Sequence, residues 1–279
     1  MKIKVGVIFG GESVEHEVSV ISALQAIEHI DKDKYEVVPI YISKDKVWFT
    51  GSSLSNIDSY RDLDNIKKIS KEVSLCKING EFCLINTKGL INKVVDKIDV
   101  AFPIVHGQNV EDGTLAGYLD TVGIPYVGPK VLGASLGQDK VVIKQILSSA
   151  NIPVVDYTWF YDVEFFDNKD VILKEIKKIG YPVVVKPATL GSSVGINFVS
   201  SEKLIEDAIN EAIEYDKKII VEKAVNNLIE VNCSVVGNYE MQETSLIEEV
   251  ISDMDIVDDD LDYISSTISE RDYYQNTNK

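Results

Sequence analysis

The chain has 279 residues, 45% of them hydrophobic and 26% charged, enough for the cores of two or three ordinary globular domains. Its net charge of −17 argues against a nucleic-acid partner, and no apolar run approaches the roughly 20 residues that span a membrane. Cys76, Cys83 and Cys233 lack metal-ligand spacing and read as reduced thiols; without a signal-peptide cleavage pattern, the expected location is the cytoplasm.

The N-terminal third alternates strand and helix patterns. Residues 2–9 form a β-rich run, 10–14 a turn, and 15–30 a helix with Val18, Ile21, Ala26 and Ile30 along one side. Residues 35–42 are a second strand and 46–50 a short extra one, while 51–80 are polar and weakly patterned. A strand at 98–105 leads through a loop at 106–113 into a helix reaching about residue 122. This alternation predicts a parallel sheet whose ligands gather beyond the carboxyl ends of its strands.

Two loops at those ends carry chemistry. In GGESVEHEVS, residues 10–19, paired glycines permit a tight turn and the following helix N-terminus favours a negative group. The third spaced glycine of a dinucleotide fingerprint is missing. Glu15 there either caps the helix or binds a substrate amine. In PIVHGQNVEDGT, residues 103–114, His106 ends a strand and Glu111-Asp112-Gly113 returns the chain. A satisfied structural histidine is the plain alternative, but both loops are expected to face one crevice.

The central region reads as a distinct α+β unit. Residues 138–150 are a helix opening with Asp139-Lys140, 157–160 a strand, and 168–179 a helix. In YPVVVKPATLGSSVGI, residues 181–196, an apolar run ends at Lys186, a Gly191-Ser192-Ser193-Val194-Gly195 turn follows, and apolar character resumes at Ile196. That pattern predicts strand, flexible hairpin, strand, with exposed N–H groups and hydroxyls able to wrap an anion and a lysine suited to phosphate. Residues 201–214 read as a helix capped by Ser201, 218–223 as a strand ending in Glu222-Lys223, and 230–250 as at least two more strands. Lysines flanking the turn are placed to grip phosphate oxygens, and the backbone after Glu222 to meet an adenine edge. Between residues 224 and 270 lie twelve acidic residues and no lysine or arginine. Asp258, Asp259 and Asp260 lack EF-hand spacing, so a solvated acidic segment is expected there rather than a divalent-ion site.

Together these motifs resemble the D-alanine–D-alanine ligases of the ATP-grasp superfamily. GGESVEHEVSVISA, HGQNVEDGTLAGYLDTVGIPYVG, GQDKVVIKQIL, VVVKPATLGSSVGI and IVEKAVNNLIEVNCSVVGN follow that family's order and spacing from about residue 4 to about 250. The resemblance implies an α/β chain: a parallel α/β substrate domain at 1–128, a central ATP-grasp α+β domain at 129–225, and the start of a C-terminal ATP-grasp domain at 226–279. It assigns Glu15 to the first substrate's ammonium, helped by Ser192, and His106 to its carboxylate and the reacting centre. Lys140 and Lys186 go to ATP phosphates, with Gly191, Ser192, Ser193 and Val194 closing over them. Glu222 and Lys223 go to the adenine, and Glu230, otherwise an ordinary strand residue, to the ribose.

The implied reaction joins two D-alanines through an acyl phosphate for peptidoglycan precursor synthesis, using ATP and Mg²⁺, in a homodimer. D-Lactate or D-serine as second substrate, and a non-catalytic remnant that binds nucleotide or D-amino acid, are the alternatives. The family continues past residue 279 with an arginine and with aspartate, glutamate and asparagine for the metal, and nothing in the chain matches them. The expectation is therefore a truncated chain with impaired ligase activity and no family metal ligands. Val110 stands where the family usually has glycine, and Gln138 where it often has methionine.

Overall fold

The computed structural model describes residues 2–88, 93–191 and 193–250. It divides into two compact units between Ile143 and Lys144.

Unit 1 is built on a seven-stranded sheet. Strand β1 (Ile3–Gly10) is an almost unbroken apolar run because it lies inside the sheet and is covered on both faces. Its Val5, Val7 and Phe9 pack with Val20, Ala23 and Ile27 of helix α1 (His16–His29), whereas Ile8 enters a second core with Leu115 and Leu119. The spacing of Val20, Ala23 and Ile27 supplies the single apolar stripe that a surface helix needs. Strand β2 (Tyr35–Ile42) runs parallel to β1 from Ile3 opposite Tyr35 to Gly10 opposite Ile42.

The rest of the sheet is mixed. Strands β3 (Trp48–Thr50), β4 (Lys71–Ile78), β5 (Glu81–Asn86) and β6 (Val94–Ile98) continue outward from β2, each antiparallel to its neighbour. Strand β7 (Val100–Pro103) lies parallel on the other side of β1. The parallel arrangement expected for the whole sheet therefore holds for β2, β1 and β7 only. Residues 51–80, weakly patterned in sequence, contain helix α2 (Leu63–Ile69) and all of β4, whose Val73 and Leu75 turn inward. Asn79 and Gly80 both have positive φ, at 51° and 87°, as a tight β4–β5 hairpin requires.

Helices α3 (Thr114–Val122) and α4 (Val131–Gln138) complete unit 1, and α5 (Lys140–Ser149) begins directly after Asp139. The helix expected at 138–150 is α5, with Asp139 just ahead of it, whereas α4 before it was not among the expected elements. The Asp139 carboxylate accepts the N–H groups of Val141 and Val142 at 2.9 and 3.1 Å, starting α5 as an N-cap.

Unit 2 carries a four-stranded antiparallel sheet ordered β10-β9-β11-β8. Its strands are β8 (Tyr157–Tyr161), β9 (Val183–Pro187), β10 (Asn197–Val199) and β11 (Lys218–Lys223). Helix α6 (Asp162–Ile179) starts earlier than the expected residue 168, and Asn168 marks an internal kink with φ −132°. Its entry is fixed by the Glu164 carboxylate accepting the Tyr161 N–H at 2.8 Å. Helix α7 (Ile205–Ile213) follows a 3-10 turn, and the Ser201 side chain makes no capping bond, contrary to expectation. Phe165 and Ile176 of α6 and Ile205 and Ile209 of α7 cover one face of the sheet, meeting Val183, Val185, Ile219 and Val221. Beyond it, β12 (Glu230–Asn232) pairs with β15 (Glu248–Val250), and β13 (Val235–Gly237) with β14 (Gln242–Thr244). Asp258–Asp260 lie outside the described residues.

Candidate functional site

In unit 1, β1 and β7 are parallel neighbours, so the loops after them leave the sheet at the same end. The first loop turns at Gly10, with φ +91°, where an added Cβ would lie 2.2 Å from the Ile42 carbonyl oxygen. Gly10 N–H donates to Ser19 Oγ at 2.8 Å, and Ser19 Oγ donates to the Ile104 carbonyl at 2.7 Å, tying the first loop, α1 and the second loop together. His16 is buried; its Nδ1 lies 2.6 Å from the Gly11 carbonyl, which can only accept. In the neutral ring, Nε2 then accepts the Tyr41 hydroxyl at 2.9 Å.

That framework brings the two predicted loops into contact. Glu15 stands at the N-cap of α1, buried, and its side chain makes no capping hydrogen bond. Gly107, with φ +83°, passes so close that an added Cβ would lie 2.6 Å from Glu15 Oε2 and 2.3 Å from Ser13 Oγ. The positive φ favours glycine there, and a larger residue would have to displace the Ser13 and Glu15 side chains. Gly107 N–H donates to Glu111 Oε2 at 2.8 Å, and Asn109 Nδ2 donates to Glu12 Oε2 at 3.3 Å across the loops. His106 is half-buried, with Nε2 3.3 Å from Ser22 Oγ and Nδ1 4.0 Å from Glu111 Oε1. A cavity of about 400 Å³ opens beside the second loop, with Val105, Val110, Glu111, Leu115 and Tyr126 on its walls. Glu15 and His106 are not among its lining residues.

In unit 2 the candidate residues Lys186 and Glu222 lie on the sheet face opposite α6 and α7. Side chains alternate along β11, so Ile219 and Val221 enter the core while Ile220 and Glu222 face the other way. Register sets Ile220 opposite Lys186 of β9, which makes Lys186 and Glu222 diagonal neighbours on that face. Lys186 Nζ donates to Glu222 Oε2 at 3.0 Å, and Lys144 Nζ of α5 lies 3.3 Å from Glu222 Oε1. The Glu222 side chain is only 10% exposed and those of the two lysines 24% and 16%, so the carboxylate is held by two cations largely out of water.

The remaining predicted residues fall as follows. Lys223 donates to the carbonyls of Gly180 and Tyr181 at 3.0 and 3.1 Å, tying the end of β11 to the entry of β9. Lys140 is the first residue of α5 and Glu230 the first of β12. Gly191 and Val194 are joined by a 3.4 Å backbone bond within the turn. Ser193 has φ +55° and a buried hydroxyl with no hydrogen-bond partner among the described residues. Ser192 lies outside the described residues. Lys144 is absent from the sequence-based set, although it stands four residues after Lys140 on the same helix, a spacing that shares one face. Among the described residues, no group of three or more His, Cys, Asp or Glu is placed to hold a metal ion.

Residues 4–129 match the family described as D-ala D-ala ligase N-terminus, and residues 146–277 the family described as D-ala D-ala ligase C-terminus. A D-alanine--D-alanine ligase of Thermosipho melanesiensis is 38% identical over 89% of this chain, which spans 66% of that relative's length. One from Macrococcus caseolyticus is 38% identical over 90% of the chain and 67% of its own length. Among solved structures, the VanG D-Ala:D-Ser ligase from Enterococcus faecalis has a TM-score of 0.74 at 31% identity, covering 89% of this chain and 70% of that one. The D-alanine-D-alanine ligase from Helicobacter pylori has a TM-score of 0.76 at 26% identity, covering 88% and 74%. Matched at both ends, and aligned with relatives along most of its length, the chain belongs to the D-alanine–D-alanine ligase family, with its ATP-grasp fold.

Proposed function

We propose that the protein joins two D-alanines at the expense of ATP in peptidoglycan precursor synthesis. The observation that carries this reading is the Lys186–Glu222 pair, a half-buried cation beside a buried acceptor on the sheet face opposite α6 and α7. In this reading Lys186 and Lys140 take phosphate oxygens as point charges, and the backbone of Gly191, Ser193 and Val194 wraps the same group. Glu222 accepts an adenine N–H, Lys223 lies beside the base, and Glu230 serves the ribose. A solved Bacillus anthracis D-alanine--D-alanine ligase complexed with ATP, with a TM-score of 0.56 and 26% identity, supports the nucleotide assignment.

The unit 1 cluster supplies the amino-acid side of the reaction. Glu15 takes the first D-alanine's ammonium, assisted by Ser192, and His106 lies near its carboxylate. That carboxylate takes the γ-phosphoryl group, releasing ADP and forming an acyl phosphate. The second D-alanine's amine then attacks the carbonyl, phosphate leaves, and the dipeptide remains. Mg²⁺ belongs to this chemistry in the family, but the described residues offer it no ligand set. A homodimer acting in the cytoplasm completes the proposal. No described helix is long and apolar enough to cross a membrane.

Calorimetry with ATP, followed by phosphate release with and without D-alanine, tests the reading. Micromolar-to-millimolar ATP binding and release that depends on D-alanine are expected. A protein that binds no ATP overturns it, while ATP binding with no turnover favours the non-catalytic alternative. The likeness to a D-Ala:D-Ser ligase favours one second reading, in which D-serine is the second substrate. Product analysis with both amino acids present decides between them.

A further inference from the structure

Glu222 has one more cation than its charge requires. Lys186 reaches it along the sheet, at Oε2, and Lys144 reaches it from α5, at Oε1. The Lys144 ammonium also lies 5.7 Å from the centre of the Tyr157 ring, and Tyr157 sits directly opposite Glu222 on β8. Lys144 is therefore held from two sides, by a carboxylate and by an aromatic face, with its own side chain 16% exposed. Such a lysine is fixed in place, whereas Lys186 stands more open, at 24%.

We propose that Lys144 is a positioning residue that keeps Glu222 paired and oriented while Lys186 exchanges that carboxylate for a nucleotide phosphate. The inference rests on the nucleotide-binding reading above. If Lys186 left a Glu222 that had no other partner, a carboxylate would remain buried and uncompensated, and the exchange would oppose binding. With Lys144 on Oε1, the remaining pair is neutral and the exchange costs little. The same contact decides which oxygen becomes vacant. Oε2 is released as a fixed acceptor, suited to an exocyclic amine of a base and unfavourable to a carbonyl in the same position. Lys144 thereby governs both nucleotide affinity and the preference for adenine over guanine.

The test compares Lys144→Met, Lys144→Arg, Glu222→Gln and the double variant K144M/E222Q, each titrated with ATP and with GTP and assayed for D-alanine-dependent phosphate release. Lys144→Met should weaken ATP binding about 10- to 100-fold, the range left after discounting a buried-pair loss for the lysines' partial exposure. KM for ATP should rise while kcat changes by less than about threefold. Lys144→Arg should recover most of the affinity, and the ATP-to-GTP preference should narrow in Lys144→Met. In the Glu222→Gln background the Lys144→Met change should cost less than about twofold, because no carboxylate then needs a partner.

Equal losses in both backgrounds, or ATP binding by Lys144→Met as tight as in the unaltered protein, would overturn the inference. The double variant keeps the comparison valid if Lys144→Met alone fails to fold, since it removes the stranded charge as well. An unaltered protein that binds no ATP removes the nucleotide reading and this inference together, an outcome distinct from an unaffected Lys144→Met.

Discussion

Unit 1 takes mainly neutral polar groups out of water, and unit 2 adds a carboxylate held by two ammonium groups. Glu15 apart, the buried polar residues of unit 1 include His16 and Ser19, linked through Tyr41, Gly10, Gly11 and Ile104 by bonds of 2.6–2.9 Å. In unit 2 the charged residue buried among the described residues is Glu222, and its partners are ammonium groups. A neutral network that is fully bonded gains nothing by opening, so it locks its loops. An ion pair in partial burial remains costly to maintain and can change partner when a stronger anion arrives. The contrast suits the proposed assignment of the amino acid to the rigid half and of the nucleotide to the exchangeable one.

The largest test of the rigid half is Gly10→Ala. It places a Cβ against the Ile42 carbonyl at a φ of +91°, combining a strained backbone with a hard overlap. A loss of about 3 kcal/mol or more is expected from those two effects, read as a fall in the urea midpoint. A loss below about 1 kcal/mol would mean that the turn is pliable and the contrast drawn too sharply. In unit 2, Glu222→Ala leaves two ammonium groups on one face without their carboxylate. Because Lys144 and Lys186 retain 16% and 24% exposure, water recovers part of the penalty, and about 2 kcal/mol is expected. That loss should shrink in high salt, which screens the repulsion left behind; a salt-independent loss would point to packing instead.

How far each half could be read beforehand follows from the range of its interactions. Strands β2 and β11 lie where the apolar runs at 35–42 and 218–223 predict them, because a buried strand announces itself locally. The β4–β5 hairpin was equally local, in Val73 and Leu75 alternating inward and in the Asn79-Gly80 turn, but its many polar residues masked the pattern. Lys186 and Glu222 stood out singly beside a glycine-rich turn and at a strand end. Their pairing was not visible, since 36 residues separate them and only the β9–β11 register makes them neighbours. Lys144 lay one helical turn from Lys140, yet nothing nearby revealed a carboxylate approaching from another element.

A smaller effect sharpens the neutral side. Tyr41→Phe removes the hydroxyl that meets His16 Nε2 and leaves a buried acceptor unmet, for about 1–2 kcal/mol. Burial, with Glu17 and Asp45 adding to it, pushes the Tyr41 hydroxyl from 10.0 up to about 12. Folding thus favours its neutral form. That contribution is complete below the unfolded value, and is lost as pH rises from 10.0 through about 12. Denaturant midpoints across this window should fall more steeply for the unaltered protein than for Tyr41→Phe. Parallel curves would show that the buried hydroxyl does not control the alkaline loss.

The smallest effect concerns α5, the helix that bears Lys140 and Lys144. Asp139 ends α4 and caps α5, its carboxylate accepting from Val141 and Val142 at 2.9 and 3.1 Å. Asp139→Ala should cost about 1 kcal/mol, and Asp139→Asn much less, because asparagine caps almost as well. Fraying is confined to the first turn, so Lys140 at the helix start loses its fixed position while Lys144, one turn further in, keeps its backbone bonds. Amide exchange in Asp139→Ala should therefore quicken at 141 and 142 and stay unchanged from 145 onward. If ATP affinity then falls as far as in Lys144→Met, the start of α5 governs the nucleotide site as strongly as the Glu222 contact does. If it falls less than about threefold, the ionic contact, rather than the helix start, sets the affinity.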